Sequence, residues 1–224
     1  MLRVHSTSTE EPCCSNSNCE QMTSIEACEP FFAYMRKAVE LDSELMELVA
    51  AHLNEVSFPP KHIILPEGSH CNKIHFIISG TGRSYYTDPN GMTVTWAFLF
   101  NTNESVTRNL FAVDYRSFLT RDPATISIET LTEVYALEFT REKLSQLMTK
   151  SSKYESFMRK LNERAYLGMF DRAFTLLTMS ATDRYCKMVK DESHLMQMFS
   201  NYYIASYLGI APQSLSRIRS HPPQ

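Results

Sequence analysis

The sequence predicts an α+β protein in which a β-sandwich or barrel is followed by a long helix and then by a compact helical unit. Three observations predict this order. Short β-branched and aromatic runs, broken by turn residues, succeed one another between positions 58 and 139. Helical periodicity begins after Thr140 and continues to about Met179. Beyond it, apolar positions alternate with the cap and stop residues that are typical of short helices.

The composition is that of a globular protein. Hydrophobic residues make up 43% and charged residues 21% of 224 residues, so a core can form without disulfides or metal. The net charge of −3 excludes a uniformly basic surface but not a local basic patch. No apolar run approaches the roughly 18 residues of a membrane span, and the first residues lack the apolar centre of a signal peptide. We expect a cytoplasmic protein that does not bind membranes.

The N-terminal region divides into a tail and a helical stretch. Residues 1–29 are polar and without periodicity, which predicts a flexible tail. From Pro30 to about Leu53 the apolar spacing is helical, with Asp42 or Ser43 as a cap. Four of the six cysteines lie in the tail: Cys13, Cys14, Cys19 and Cys28.

Regularly spaced strands with turns between them favour a sandwich or barrel over residues 30–150. Asn90-Gly91 supplies the positive φ of a hairpin. The predicted strands are His62–Leu65, Lys73–Ser79, Arg83–Thr87, Thr93–Phe100, Thr125–Glu129 and Glu133–Phe139.

The long helix over 151–180 carries two candidate apolar stripes. A helix with two such faces can pack on its own domain and on a partner at the same time. One stripe is Leu167, Phe170, Phe174 and Leu177. We assign the dimer interface to the other stripe, which is Phe157, Leu161, Ala165 and Gly168.

Residues 181–224 predict a helical unit with a polar outward face on its last helix. Gly209 ends one helix, and Pro212 occupies the first turn of the next, where proline is tolerated. No Asp or Glu occurs between positions 200 and 221. Side chains able to bind base edges or phosphates are Gln213, Ser214, Ser216, Arg217 and Arg219.

Residues 203–218 resemble the helix-turn-helix of the Crp/Fnr superfamily. Residues 64–68 and 74–80 resemble the opening strands of a cyclic-nucleotide-binding-like β-roll, and residues 127–134 resemble its closing strands. The resemblance implies a double-stranded β-helix (jelly roll), a dimerisation helix and a C-terminal helix-turn-helix. It also implies a transcription regulator that binds double-stranded DNA as a homodimer, and it leaves RNA polymerase open as a partner.

The effector segment departs from the nucleotide-binding members. The Gly-Glu pair of that family is missing, and Asp122-Pro123 stand where an Arg-Ser or Arg-Thr step would hold the phosphate. We therefore expect an effector other than cyclic AMP, or none. Candidate pocket residues are Trp96, Phe98, Ser117 and Arg121, with a simple core role as the alternative for the aromatic residues.

The sequence gives no support for a metal centre or an enzyme. N-terminal cysteines resemble those of the oxygen-sensing branch, but their spacing differs, so we expect no iron–sulfur cluster. The seven histidines form no His-x-His pair, and no phosphate loop or nucleophile elbow occurs. A second hypothesis is a sensor or interaction module that no longer binds DNA, because the family's β-hairpin wing is missing after Arg219.

Overall fold

The computed structural model describes residues 24–220. Its helices are α1 (Glu29–Arg36), α2 (Ser43–Ala50), α3 (Thr107–Leu110), α4 (Tyr115–Thr120), α5 (Arg141–Lys150), α6 (Ser152–Thr178), α7 (Ala181–Asp191), α8 (Leu195–Met198), α9 (Asn201–Tyr207) and α10 (Pro212–Ser220). Its strands are β1 (Asn54–Phe58), β2 (Ile63–Leu65), β3 (Lys73–Ser79), β4 (Gly82–Thr87), β5 (Thr93–Leu99), β6 (Phe111–Ala112), β7 (Ser127–Thr130) and β8 (Val134–Thr140).

The strands within the described range form two four-stranded sheets, in the orders β1-β8-β3-β6 and β2-β7-β4-β5. Within each sheet, neighbouring strands pair in antiparallel orientation. Phe76 and Leu137 from the first sheet share one hydrophobic core with Leu99 and Ile128 from the second. Two antiparallel sheets around a common core make the predicted jelly roll.

Turn residues set the connections of the roll. Gly91 has φ +80°, and the Asp88 carboxylate accepts backbone N–H groups of Asn90 at 2.9 Å and of Met92 at 2.8 Å, so the predicted hairpin turn is confirmed. Gly80 has φ +89°, and a Cβ there would lie 2.1 Å from the carbonyl oxygen of Glu133. Only glycine fits that close approach of two backbones.

Helices close the core from one side. The Phe31 ring of α1 meets Phe76 at 5.1 Å, Phe139 at 5.0 Å and Phe157 of α6 at 5.7 Å between centroids, each edge to face. The sequence predicts one helical stretch from Pro30 to about Leu53, whereas the structure has α1 and α2. Asp42 starts the second of these by accepting the backbone N–H of Leu45 at 2.8 Å.

The C-terminal helices build a second core against the edge strand β5. Phe98 of β5 and Phe100, which follows the strand, are buried among residues of α7 to α10, and the rings of Phe98 and Phe199 stack at 3.9 Å. The C-terminal unit is thus docked on the roll of its own chain. None of the helices in the described part of the chain is long and apolar enough to cross a bilayer.

Candidate nucleic-acid interface and effector cavity

Helices α9 and α10 are joined by a short turn. Gly209 in the turn has φ +65°, and the Ile210 N–H donates to the Ala205 carbonyl at 3.0 Å. Leu215 of α10 is buried with Ile204 in the second core. This burial orients α10, because the residues on its other side are then turned to solvent.

The outward face of α10 carries the predicted DNA-binding side chains. Gln213, Ser216, Arg217 and Arg219 are exposed, and Ser214 is half-buried. Arg219 donates to the side-chain oxygen of Asn201 at 2.6 Å. The structure therefore brings these residues together on one accessible surface, with Arg219 anchored at its side.

Arg217 is the most available cation on that face. None of the ion pairs, side-chain hydrogen bonds or ring contacts found within residues 24–220 involves it, and Gln213 is equally unengaged. An unpaired guanidinium keeps its parallel donors for a base edge or a phosphate. Both side chains are thus free to bind a nucleic acid without first breaking an internal contact.

The orientation of α9 is set by polar contacts with strand β5. The Ser206 hydroxyl accepts the Thr95 N–H at 2.9 Å and donates to the Thr93 carbonyl at 2.7 Å. The buried Arg172 of α6 donates to the carbonyls of Thr95 at 2.8 Å, Trp96 at 3.0 Å and Tyr207. Because β5 is an edge strand, these side chains bond backbone groups that a neighbouring strand would otherwise bond.

The two apolar stripes of α6 differ in exposure, and the exposed one is not the stripe that the sequence analysis assigns to the dimer interface. Phe157, Leu161 and Ala165 are buried against the roll of their own chain, and a Cβ at Gly168 would have no neighbour within 4 Å. The assignment of Phe157, Leu161 and Ala165 to a dimer interface is therefore corrected, since buried side chains cannot contact a partner, whereas the assignment of Gly168 stays a prediction. The other stripe is exposed: Leu167 60%, Phe170 55%, Phe174 53% and Leu177 85%.

A cavity of about 500 Å³ lies between the roll, α4 and α6, and we call it the effector cavity. Trp96 lines it, as the sequence suggests. Sequence reasoning missed other lining residues, which include Tyr86, Arg108, Asp114, Thr125 and Met169. Asp114 carried a local signal, because it precedes a helix as an N-cap and accepts the Ser117 N–H at 3.0 Å.

The remaining candidate pocket residues lie outside the effector cavity. Phe98 is buried in the second core, where it stacks on Phe199. The buried Ser117 hydroxyl donates to the carbonyl of Asp122 at 2.6 Å and accepts the Cys71 N–H at 3.0 Å. Arg121 is exposed and ends α4 with φ +67°. The positions of Ser117 and Arg121 could not be predicted from the alternation of side chains along a strand, because α4 occupies this part of the chain.

Asp122 and Pro123 also lie away from the cavity. Asp122 forms an exposed ion pair with Arg116 at 3.0 Å, and Pro123 forms an isolated antiparallel β-bridge with His70. The residue that contacts Asp114 at the cavity wall is Thr125, whose N–H donates to the carboxylate at 2.9 Å. The structure thus places Asp122 and Pro123 outside the effector cavity and Thr125 at its wall.

The cysteines do not gather into a metal site in the described range. Cys13, Cys14 and Cys19 lie outside the described residues. Cys28 is fully buried, and burial raises the pKa of its thiol to about 12. A protonated thiol is a poor metal ligand, and residues 24–220 contain no group of three or more side chains that could hold a metal ion.

Residues 55–151 match the family described as the cyclic nucleotide-binding domain. FixK2 from Bradyrhizobium japonicum is 16% identical over 75% of this chain and 83% of that chain, with a TM-score of 0.61. CLP from Xanthomonas campestris, a c-di-GMP responsive global regulator, is 17% identical over 80% and 90% of the two chains, with a TM-score of 0.60. A Crp/Fnr family protein from Eubacterium rectale is 15% identical over 81% and 83%, with a TM-score of 0.60.

No curated protein matches the sequence of this chain. Each of these three structural matches extends over at least 75% of the chain. Residues 55–151 are therefore similar to a cyclic nucleotide-binding domain, and the chain shares the fold of a solved structure described as a Crp/Fnr family regulator.

Proposed function

We propose that this chain is a DNA-binding transcription regulator that acts as a homodimer and carries no catalytic activity. The observation that carries the proposal is the exposed face of α10, where Arg217 and Gln213 are exposed and unengaged. The absence of acidic residues between positions 200 and 221 leaves this face attractive to phosphates. A helix of this kind enters the major groove and reads base edges there.

The homodimer forms through the exposed stripe of α6, and it brings together two copies of the DNA-binding helix α10. Leu167, Phe170, Phe174 and Leu177 occupy one face of the helix at spacings of three and four. A two-fold interface pairs this face with itself. The two recognition helices then meet half-sites roughly 34 Å apart on a pseudo-palindromic site.

The effector cavity is suited to a small molecule other than a cyclic nucleotide. Its lining contains two guanidinium groups, those of Arg108 and Arg116. Each already binds a carboxylate, of Glu192 and Asp122 respectively. A cyclic phosphate needs a cation that is free to bind it, and Asp114 adds negative charge to the same wall. Trp96 and Tyr86 offer aromatic surface instead.

A chain of contacts connects the cavity with the DNA-binding unit. Arg108 lines the cavity and forms an ion pair with Glu192, which follows α7. The other oxygen of Glu192 accepts the hydroxyl of Tyr207 in α9 at 3.0 Å. A ligand that moves Arg108 therefore acts on α9, and it shifts the balance between arrangements of the two recognition helices.

The test is selection of a binding site from a random DNA library with the full chain, followed by substitution of Arg217. Arg217→Ala should weaken binding to the selected site by about 1–3 kcal/mol while binding to random DNA stays nearly unchanged, because the guanidinium reads a guanine. Arg219→Ala should weaken both alike and lower the salt slope by about 1. Arg159→Ala, on an exposed part of α6, is the control.

Equal losses on both kinds of DNA for Arg217→Ala would contradict the reading role. Failure to enrich any site would favour the second hypothesis, a sensor or interaction module without DNA binding.

A further inference from the structure

A second pocket lies against α4 and next to the effector cavity. It has a volume of about 220 Å³ and is bounded by α4, α5 and α6, and we call it the α5 pocket. Its walls are mostly apolar and include Phe118, Leu144, Met148, Phe157, Met158 and Leu161. Phe111 and Tyr115 line both this pocket and the effector cavity, so the two spaces share a wall.

Tyr154 gives the α5 pocket an unused hydrogen-bond donor. The side chain lines the pocket and is fully buried, and its hydroxyl has no partner among residues 24–220. Burial raises the pKa of the Tyr154 phenol, so the proton stays on the oxygen. A buried hydroxyl without a partner is unfavourable, and a ligand oxygen in the pocket would remove that penalty.

Arg141 adds a positive charge to the same pocket. Its guanidinium donates to the carbonyls of Phe118 and of Cys71, the latter at 2.9 Å, and lies 4.5 Å from the centre of the Phe118 ring. None of the ion pairs formed within the described range includes Arg141. A half-buried cation with only neutral acceptors favours the approach of an anion.

The rim of the pocket is apolar and open to solvent. Leu119 is 71% exposed and Met148 39% exposed, and both line the pocket. Exposed apolar side chains beside a pocket are typical of ligand entrances. A molecule can therefore enter from solvent, between α4 and α5, without passing through the effector cavity.

We propose that the α5 pocket binds a small carboxylate with an apolar chain, of the size of a medium-chain fatty acid. The chain occupies the apolar walls, Arg141 supplies the charge that selects a carboxylate, and Tyr154 supplies one hydroxyl donor. A volume of 220 Å³ lies below the roughly 300–1,000 Å³ of sites for drug-sized ligands, which favours a short chain. The proposal does not rest on DNA binding, because the contacts of Arg141 and Tyr154 found within residues 24–220 are with the roll and α6.

Calorimetric titration of the full chain with octanoate and with 1-octanol tests the proposal. Octanoate should bind at least about tenfold more tightly than octanol, since the charged hydrogen bonds are made only by the carboxylate. Arg141→Gln should abolish that preference. Tyr154→Phe should weaken octanoate binding while the ligand-free protein melts at the same or a higher temperature, because the unpartnered hydroxyl is gone.

A second pair of variants avoids the backbone contacts of Arg141. Leu119→Asp and Leu119→Asn change an exposed rim residue to side chains of equal size, with and without charge. The Asp variant should bind octanoate roughly threefold more weakly than the Asn variant, through repulsion near the entrance. Equal binding by the two variants, or octanol binding as tight as octanoate, would overturn the proposal. It would also be overturned if millimolar octanoate gave no heat while Leu119→Asp changed the oligomeric state, because the patch would then belong to a second copy.

Discussion

Replacing Ser206 by Ala should measure how firmly the C-terminal unit is held on the roll. The Ser206 hydroxyl is the acceptor for the N–H of Thr95 at 2.9 Å, and Thr95 is fully buried. Alanine removes that acceptor and leaves the N–H of Thr95 buried without it. An unpaired buried N–H costs about 1–3 kcal/mol, so the free energy of unfolding should fall by that amount.

Urea denaturation followed by circular dichroism would give the change in unfolding free energy. Amide hydrogen exchange at Thr95 would locate it, because that N–H should exchange faster in Ser206→Ala while amides of β3 and β8 stay protected. Ser145→Ala is a suitable control, since Ser145 is exposed on α5 and should change stability by no more than about 0.5 kcal/mol. Unchanged stability together with unchanged protection at Thr95 would show that α9 is not docked on β5 in solution.

Four further outcomes can be measured on the purified chain. Phe170→Glu should give folded monomers in analytical ultracentrifugation, because Phe170 is 55% exposed, whereas Phe157→Glu should unfold the roll; a dimeric Phe170→Glu would place the interface elsewhere. Cyclic AMP should not raise the melting temperature, because both arginines of the effector cavity are already paired with carboxylates. A ligand at about 100 times its Kd would stabilise the folded protein by roughly 2.7 kcal/mol, so a clear upward shift would contradict this expectation. His75 and Lys73 lower the pKa of Glu138 from 4.5 to about 2. Because that pKa is depressed in the folded state, its contribution of up to roughly 3 kcal/mol is present above pH 4.5 and lost as the pH falls towards 2. Glu138→Gln should therefore melt at a temperature that depends less on pH across this range.

Features set by neighbouring residues could be predicted from the sequence. The Asn90-Gly91 turn, the Asp42 cap and the start of α10 at Pro212 depend on local backbone geometry, which a short segment determines. The assignment of stripes on α6 failed because both faces are apolar, and only the shape of the roll decides which one it covers.

Strands β1 and β6 were not predicted, for a similar reason. The two-residue strand β6 has no periodicity to detect, and β1 is defined by its pairing with β8 across the chain. The polar residues that join the C-terminal unit to the roll carried no local signal either, because Arg172 and Ser206 on a helix read as ordinary surface residues.

The edge position of β5 has a consequence for the nascent protein. An edge strand with free backbone groups can pair with another chain and so begin aggregation. Thr93, Thr95 and Trp96 obtain their edge partners from α6 and α9, which are made after the roll. At about 5–20 residues per second, the interval between synthesis of β5 and of Ser206 lasts roughly 5–20 seconds. Until α6 and α9 have been made, β5 lacks these edge partners, and a chaperone that binds extended segments could bind it during that interval.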